Sequence, residues 1–241
     1  MAYANNRNKN TYITKKRCSA AMGKQIDQFI EKHKPIAYSN HKSAKNKGEN
    51  TPPFHKTIIF KLIHGLKLKA GVKILEIGSG EVTHLPYLLK KANGMNYYGT
   101  NTSETMLQKA LLSDALTMEE KWSRLVKVEE DGKLGFQDDF FDNCFSANSI
   151  YFWNNPLNYF MEIYRVLRSG GKFDLAFVEK KHGGALPWTQ ADFAFYEIDQ
   201  VKDFFKKSGF VNIEVEEMTE EIADQYGNAV KRPFVILSGK K

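Results

Sequence analysis

The 241 residues are 42% hydrophobic and 26% charged, the balance of a soluble globular chain long enough to bury one sizeable α/β core. No apolar run approaches the ~18 residues needed to span a bilayer, and Met1–Arg7 lacks the apolar segment of a secretory signal. Two cysteines, Cys18 and Cys144, make no disulfide framework, so the expectation is a cytoplasmic, reducing setting.

The net charge of +7 is unevenly placed: residues 1–50 hold 11 Lys/Arg against 3 Asp/Glu, and residues 51–241 hold 24 against 25. A basic arm can bind nucleic acid or anionic lipid. This one has few aromatics on which bases would stack and no sustained charge run, which favours a solvated extension. Residues 1–20, rich in Asn and Lys, read as irregular. Ala20–Lys32 places Met22, Ile26, Phe29 and Ile30 on one helical face. Residues 38–53 read as loop, closing with Pro52 and Pro53. The chain thus divides into a basic N-terminal extension, residues 1–53, partly disordered or helical, and a folded domain, residues 54–241.

Within that domain, Ile58, Ile59, Leu62, Ile63 and Leu66 recur at helical spacing over 54–67, as in an amphipathic helix lying on a sheet. From Val72 strand and helix alternate, the pattern of a parallel sheet covered on both faces. Strands are expected at Val72–Ile77, Asn96–Thr100, Arg124–Glu129, Phe141–Ala147 and Lys172–Phe177. Helices are expected near Thr83–Lys91, stopped by Asn93-Gly94, then after a Ser103 cap through Met106, Leu107 and Ala110. Further helices fall at Pro156–Leu167, broken by Ser169-Gly170-Gly171, and near Ile198–Lys207, stopped by Gly209. Val211, Ile213 and Val215 alternate with polar residues and Phe234–Leu237 is apolar, which suggests an edge hairpin with a long connection.

The stretch Val72-Lys-Ile-Leu-Glu-Ile-Gly-Ser-Gly-Glu81 carries the chemistry. Gly78 and Gly80 lack Cβ, so the backbone can take positive φ and a ligand can lie against it. The following helix would turn its free N–H groups toward that ligand. A turn of this kind at the carboxyl edge of a parallel sheet is where α/β proteins bind nucleotide-like molecules.

Four segments in series extend the signal: Leu75–Gly80, Tyr98–Leu107, Phe141-Asp142 with Tyr151-Phe152-Trp153, and Glu162–Gly171. In order and spacing they resemble the class I S-adenosylmethionine-dependent methyltransferases, most nearly the small-molecule, ubiquinone/menaquinone-type branch. The resemblance covers about residues 54–241. It implies an α/β, Rossmann-like seven-stranded sheet with an antiparallel C-terminal hairpin, and S-adenosyl-L-methionine as cofactor. Carried over by position, Glu76, Gly78, Ser79 and Gly80 would lie under the methionine part of the cofactor. Asn101, with Thr102 beside it, stands where the family usually has an acidic residue for the ribose hydroxyls. Glu130 or Asp131 fits the acidic residue near the adenine amino group, and Asn148 follows the strand that lines the pocket floor.

Tyr151, Trp153, Trp188 and Tyr196, with Phe193, are candidates for the acceptor pocket, while Phe152 reads as core. Asp142, Glu162 and Arg165 read as structural. His84, Tyr151 and His182 are the candidate bases. No Cys/His cluster or His-x-x-x-His spacing suggests a metal.

Two positions depart from the family pattern. Val82 replaces a third glycine, and its branched side chain is expected to narrow the space beside the ligand. Asn101 lacks the charge that would strengthen bonds to two hydroxyls. The leading expectation is methyl transfer to a small-molecule or lipid-like acceptor. The departures keep open a catalytically silent S-adenosylmethionine-binding protein, and the basic arm a nucleic-acid or protein methyltransferase. A nicotinamide dehydrogenase is disfavoured, because Thr83 occupies the last glycine of that fingerprint.

Overall fold

The computed structural model describes residues 12–13, 56–112, 123–183, 194–223 and 229–241. The expected Ala20–Lys32 helix, the 38–53 loop, Cys18, Trp188 and Phe193 lie outside them.

The elements follow in chain order: β1 (Tyr12–Ile13), α1 (Lys56–Gly65), β2 (Lys73–Ile77), α2 (Leu85–Leu89), β3 (Asn96–Asn101), α3 (Glu104–Leu111), β4 (Ser123–Lys127), β5 (Phe141–Ala147), α4 (Pro156–Val166), β6 (Leu167–Phe177), α5 (Lys180–Gly183), α6 (Ile198–Lys207), β7 (Val211–Ala223) and β8 (Ala229–Lys240). They build one sheet in the order β1-β4-β3-β2-β5-β6-β8-β7. β4, β3, β2, β5 and β6 run parallel, and β8 then β7 add antiparallel. The expected seven strands with a terminal hairpin are β2–β8. An eighth piece, Tyr12–Ile13, pairs antiparallel with Val126 and Leu125 of β4, so the reading of residues 1–20 as irregular fails at those two positions. An edge strand presents unpaired N–H and C=O groups, and two residues of extended chain satisfy some of them.

Period-two alternation sorts the strands' side chains into two apolar layers. Leu75 and Ile77 of β2, Cys144 of β5, and Phe173, Leu175 and Phe177 of β6 face Phe160 and Ile163 of α4 and Val201 and Phe205 of α6. Ile74, Tyr97, Phe145 and Ala176 face Ile58, Leu62 and Ile63 of α1, Leu85 and Leu88 of α2, and Leu107 of α3. Each fully buried aliphatic or aromatic side chain contributes roughly 1.5–3 kcal/mol. Burial on both faces is what makes these strands near-continuously apolar.

Three elements differ from expectation. α2 has five residues rather than nine, because the chain spends Gly78–His84 in turns and Pro86 fixes the start of the helix. α4 passes directly into β6, which begins at Leu167 ahead of the glycine pair; Gly170 accommodates the bend at φ 77°. The hairpin strands reach Ala223 and resume at Ala229, so the long connection read from sequence is ladder. Its base carries a buried ion pair, Arg232 with Glu220. Asp142 and Arg165 are structural as read: Asp142 accepts from Lys73 N and Arg168, and Arg165 ties Glu162, Asp138 and the Phe136 carbonyl together.

Candidate functional site

Strand order reverses between β2 and β5, and a crevice of about 610 Å³ opens beyond their carboxyl ends, the position such sheets use for ligands. Its β2 wall is the Gly78–His84 loop. Gly78 N and Ser79 N both donate to Thr100 O, at 2.9 and 3.0 Å, and tie the loop to β3. Gly78 adopts φ 74° and Gly80 φ 57°, as their lack of Cβ permits. A Cβ on Gly78 would come within 2.5 Å of Ser149 Cβ, whereas one on Gly80 would meet nothing within 4 Å. The first glycine lets β2 and β5 close together; the second keeps bare backbone at the crevice.

Val82 continues this series with φ 51°. The position keeps the backbone of a glycine while carrying a β-branched side chain, a conformation costing on the order of 1–3 kcal/mol. Its side chain is 1% exposed and packs in the apolar layer with Leu85 and Leu88. The expected narrowing is therefore mostly buried beneath the loop, though the residue still borders the crevice.

Glu76 lies at the foot of this wall, 2% exposed. Its Oε2 accepts from the Tyr97 hydroxyl at 2.5 Å and from His84 Nε2 at 2.8 Å. A carboxylate oxygen accepts, so the His84 proton sits on Nε2. Burial, then the Glu76 charge, pushes the Tyr97 phenol well above its ordinary range. His84 is thus a buried member of a polar cluster edge-on to Phe145. Ser79, also buried, lines the same wall.

The opposite wall comes from β3, β4 and α4. Asn101 and Thr102 border the crevice. Asn101 Oδ1 accepts from Ser103 N at 2.9 Å, and Ser103 Oγ caps α3 by accepting from Met106 N. The Asn101 amide oxygen is therefore committed to a turn. Val128, Trp153 and Tyr159 complete this wall, with Trp153 stacked on Tyr159 at 4.6 Å and 11°. Burial, then the charges of Glu130 and Asp131, raises the Tyr159 phenol to about 12. Glu130 and Asp131 themselves sit on an exposed turn outside the lining, with Asp131 accepting from Lys133 N. Asn148, at φ 55°, borders the crevice and accepts from the Tyr151 hydroxyl at 3.2 Å.

The aromatic trio divides differently from expectation. Tyr151 is buried and outside the lining. Its hydroxyl also accepts from Val178 N at 2.6 Å, and burial pushes its ionisation up, so it acts as a strut between β5 and β6. Phe152, read as core, is instead 44% exposed and borders the crevice. Trp153 borders the crevice. His182 and Tyr196 lie outside the lining, and Tyr196 packs against Phe204. Among the described residues no group of His, Cys, Asp and Glu gathers as a metal site. Sequence reasoning missed Ile59, Met106, Lys109 and Tyr159, all at the crevice. The helical periodicity of α3 and α4 was the available signal for Met106 and Tyr159.

Fold and crevice are similar to those of the class I S-adenosylmethionine-dependent methyltransferases. A family model described as a methyltransferase domain matches residues 75–175. An uncharacterized methyltransferase of Bacillus subtilis, YdaC, is 27% identical over 154 residues, covering 64% of this chain and 80% of YdaC. A chloroplastic 2-methyl-6-phytyl-1,4-hydroquinone methyltransferase of rice is 28% identical over 174 residues, covering 69% of this chain and 45% of the rice protein, so the chain spans under half of that relative. A SAM-dependent methyltransferase structure from Aquifex aeolicus superposes with a TM-score of 0.55 at 21% identity, over 76% of this chain and 89% of that one.

Proposed function

We propose that the crevice binds S-adenosyl-L-methionine and that the chain transfers its methyl group to a small-molecule acceptor. The observation that carries this is the β2 loop: Gly78 and Gly80 in left-handed conformations, with the Glu76 carboxylate at their base and at the crevice lining. The volume suits a ligand of that size. Glu76, Ser79 and the loop backbone would hold the amino-acid end. Asn101, Thr102 and Val128 would flank the ribose and base, and the Trp153–Tyr159 stack would close the wall. Bound there, the cofactor supplies an electrophilic methyl group on a sulfonium.

The chain's own part is to align, enclose and desolvate the reactants. Of the candidate bases, His84 has Nε2 committed to Glu76, the Tyr151 hydroxyl is spent twice, and His182 is off the lining. This arrangement suits an acceptor that presents its own lone pair, an amine or a phenolate. Phenolic acceptors accord with the hydroquinone named for the rice relative. A cytoplasmic location, and the division into a basic extension (residues 1–53) and a transferase unit (residues 54–241), belong to the same proposal. They are supported by cysteine usage and by the charge asymmetry; among the described residues no helix is long and apolar enough to cross a membrane.

Titration calorimetry with S-adenosylmethionine and S-adenosylhomocysteine tests the reading. Saturable binding of both is expected, and no heat at millimolar ligand refutes it. Binding without methyl transfer to any phenol or amine in a panel would favour a catalytically silent binder.

A further inference from the structure

Beneath the β2 wall, three residues on neighbouring elements meet at one atom. Glu76 and Gly99 are directly opposite in the β2–β3 register. Tyr97, two residues before Gly99, shares its face of the sheet. A Cβ on Gly99 would fall 2.7 Å from the Tyr97 hydroxyl oxygen, so the bare position opposite Glu76 is what lets the phenol cross to it. His84 arrives from the end of the loop. Both donors land on Glu76 Oε2, at 2.5 and 2.8 Å, and neither engages Oε1. Glu76 nevertheless borders the crevice.

A carboxylate held through one oxygen keeps the lone pairs of the other for a further donor. Two short bonds from rigid elements fix the plane of the group, so little ordering remains when a cation arrives. The geometry points to Tyr97 and His84 as positioning residues: they clamp Glu76 by Oε2 so that Oε1 faces the ammonium group of the cofactor's amino-acid end. This rests on the function proposed above and specifies how that end is recognised. His84 accordingly serves the cofactor rather than the acceptor.

The test compares two ligands that differ in that end, S-adenosylhomocysteine and 5′-methylthioadenosine, which has no ammonium. Calorimetry on the full chain is run for wild type, Tyr97→Phe, His84→Leu, His84→Gln and Gly99→Ala, with thermal melts confirming folding. Tyr97→Phe and His84→Leu are expected to weaken S-adenosylhomocysteine roughly 10-fold, the scale of a lost bond to a charged group, and to leave methylthioadenosine within about 2-fold. His84→Gln, which keeps a donor, should recover part of the loss. Gly99→Ala, by crowding the phenol, should reproduce the selectivity with both donor residues retained. Equal losses for the two ligands, or none for S-adenosylhomocysteine, would overturn the clamp while leaving the proposed function standing. No binding of either ligand to wild type would overturn both.

Discussion

On the β2 wall of the crevice the polar groups are bonded to one another below the surface: Tyr97 and His84 converge on Glu76, and the loop hangs from Thr100 by two amides. On the wall from β3 and α4, the Asn101 oxygen is turned into a local turn with Ser103, and much of the surface is the Trp153–Tyr159 stack. The first wall is organised before a ligand arrives and keeps an oxygen in reserve. The second offers shape and fewer uncommitted polar atoms. Pre-organised charge gives orientation at low entropic cost, whereas an aromatic wall gives burial with looser direction. Affinity for the amino-acid end should therefore depend on single atoms, and affinity for the nucleoside end on area.

The harshest way to break this contrast is Gly80→Val. The substitution places a branched side chain at φ 57° in the space now open to the crevice. Loss of more than about 100-fold in S-adenosylhomocysteine affinity is expected, since the ligand and the side chain compete for that space. The fold should survive with a strain penalty of about 1–3 kcal/mol. Calorimetry beside a denaturant melt reads both; wild-type affinity would show the loop to be misassigned. Asn101→Asp sharpens the second wall instead. An Asp keeps the oxygen that accepts from Ser103 N and adds charge, so ligands with a free ribose should bind about 3- to 10-fold tighter. A 2′,3′-dideoxyribose analogue should gain nothing, and equal gains for both would remove the ribose from this position.

The same contrast explains what was legible in the sequence. Gly78 and Gly80 announce a backbone requirement, and that requirement is local, so the loop was readable before any fold. Strand positions followed from short, near-continuous apolar runs, which are also local. The clamp was not readable, because Tyr97 and His84 reach Glu76 only after β3 has taken its register beside β2. Phe152 and Tyr151 exchanged roles for a related reason. Three consecutive aromatics look alike in sequence, and a single 3₁₀ turn at Ile150–Phe152 decides which ring is buried. Glu130 and Asp131 were chosen by family position, but the turn after β4 carries them outward, and Val128 borders the crevice in their place. α2 was overestimated because Asn93-Gly94 was read as its stop, whereas Pro86 fixes a later start and the helix already ends at a Lys90 cap.

Val82→Gly probes whether the first wall tolerates its strain for the sake of burial. The change relieves a left-handed β-branched residue, worth about 1–3 kcal/mol, and deletes a buried isopropyl group worth roughly 1.5–3 kcal/mol. A more flexible unfolded chain subtracts a few tenths more. The net effect on stability should be destabilising and within about 1 kcal/mol by denaturant titration, with ligand affinity unchanged. A large gain in affinity would mean that the isopropyl group, though buried, holds the loop away from the ligand.

The smallest expected effect lies on the second wall, in the ionisation of Tyr159. Its phenol is raised from 10.0 to about 12 by burial and by the nearby charges of Glu130 and Asp131. Between those two values the folded chain holds a proton that the unfolded chain has released. Stability therefore falls with rising pH across that window: the contribution is complete below pH 10 and is lost as pH climbs toward 12. A difference phenolate-absorbance titration of wild type against Tyr159→Phe should show a step near 12. Glu130→Gln with Asp131→Asn should move that step down by less than the burial contribution, since charges on an exposed turn are screened. Raising salt should move it the same way. A step at the ordinary phenol value would mean that the Trp153–Tyr159 stack opens to solvent, and the aromatic wall would then be mobile rather than packed.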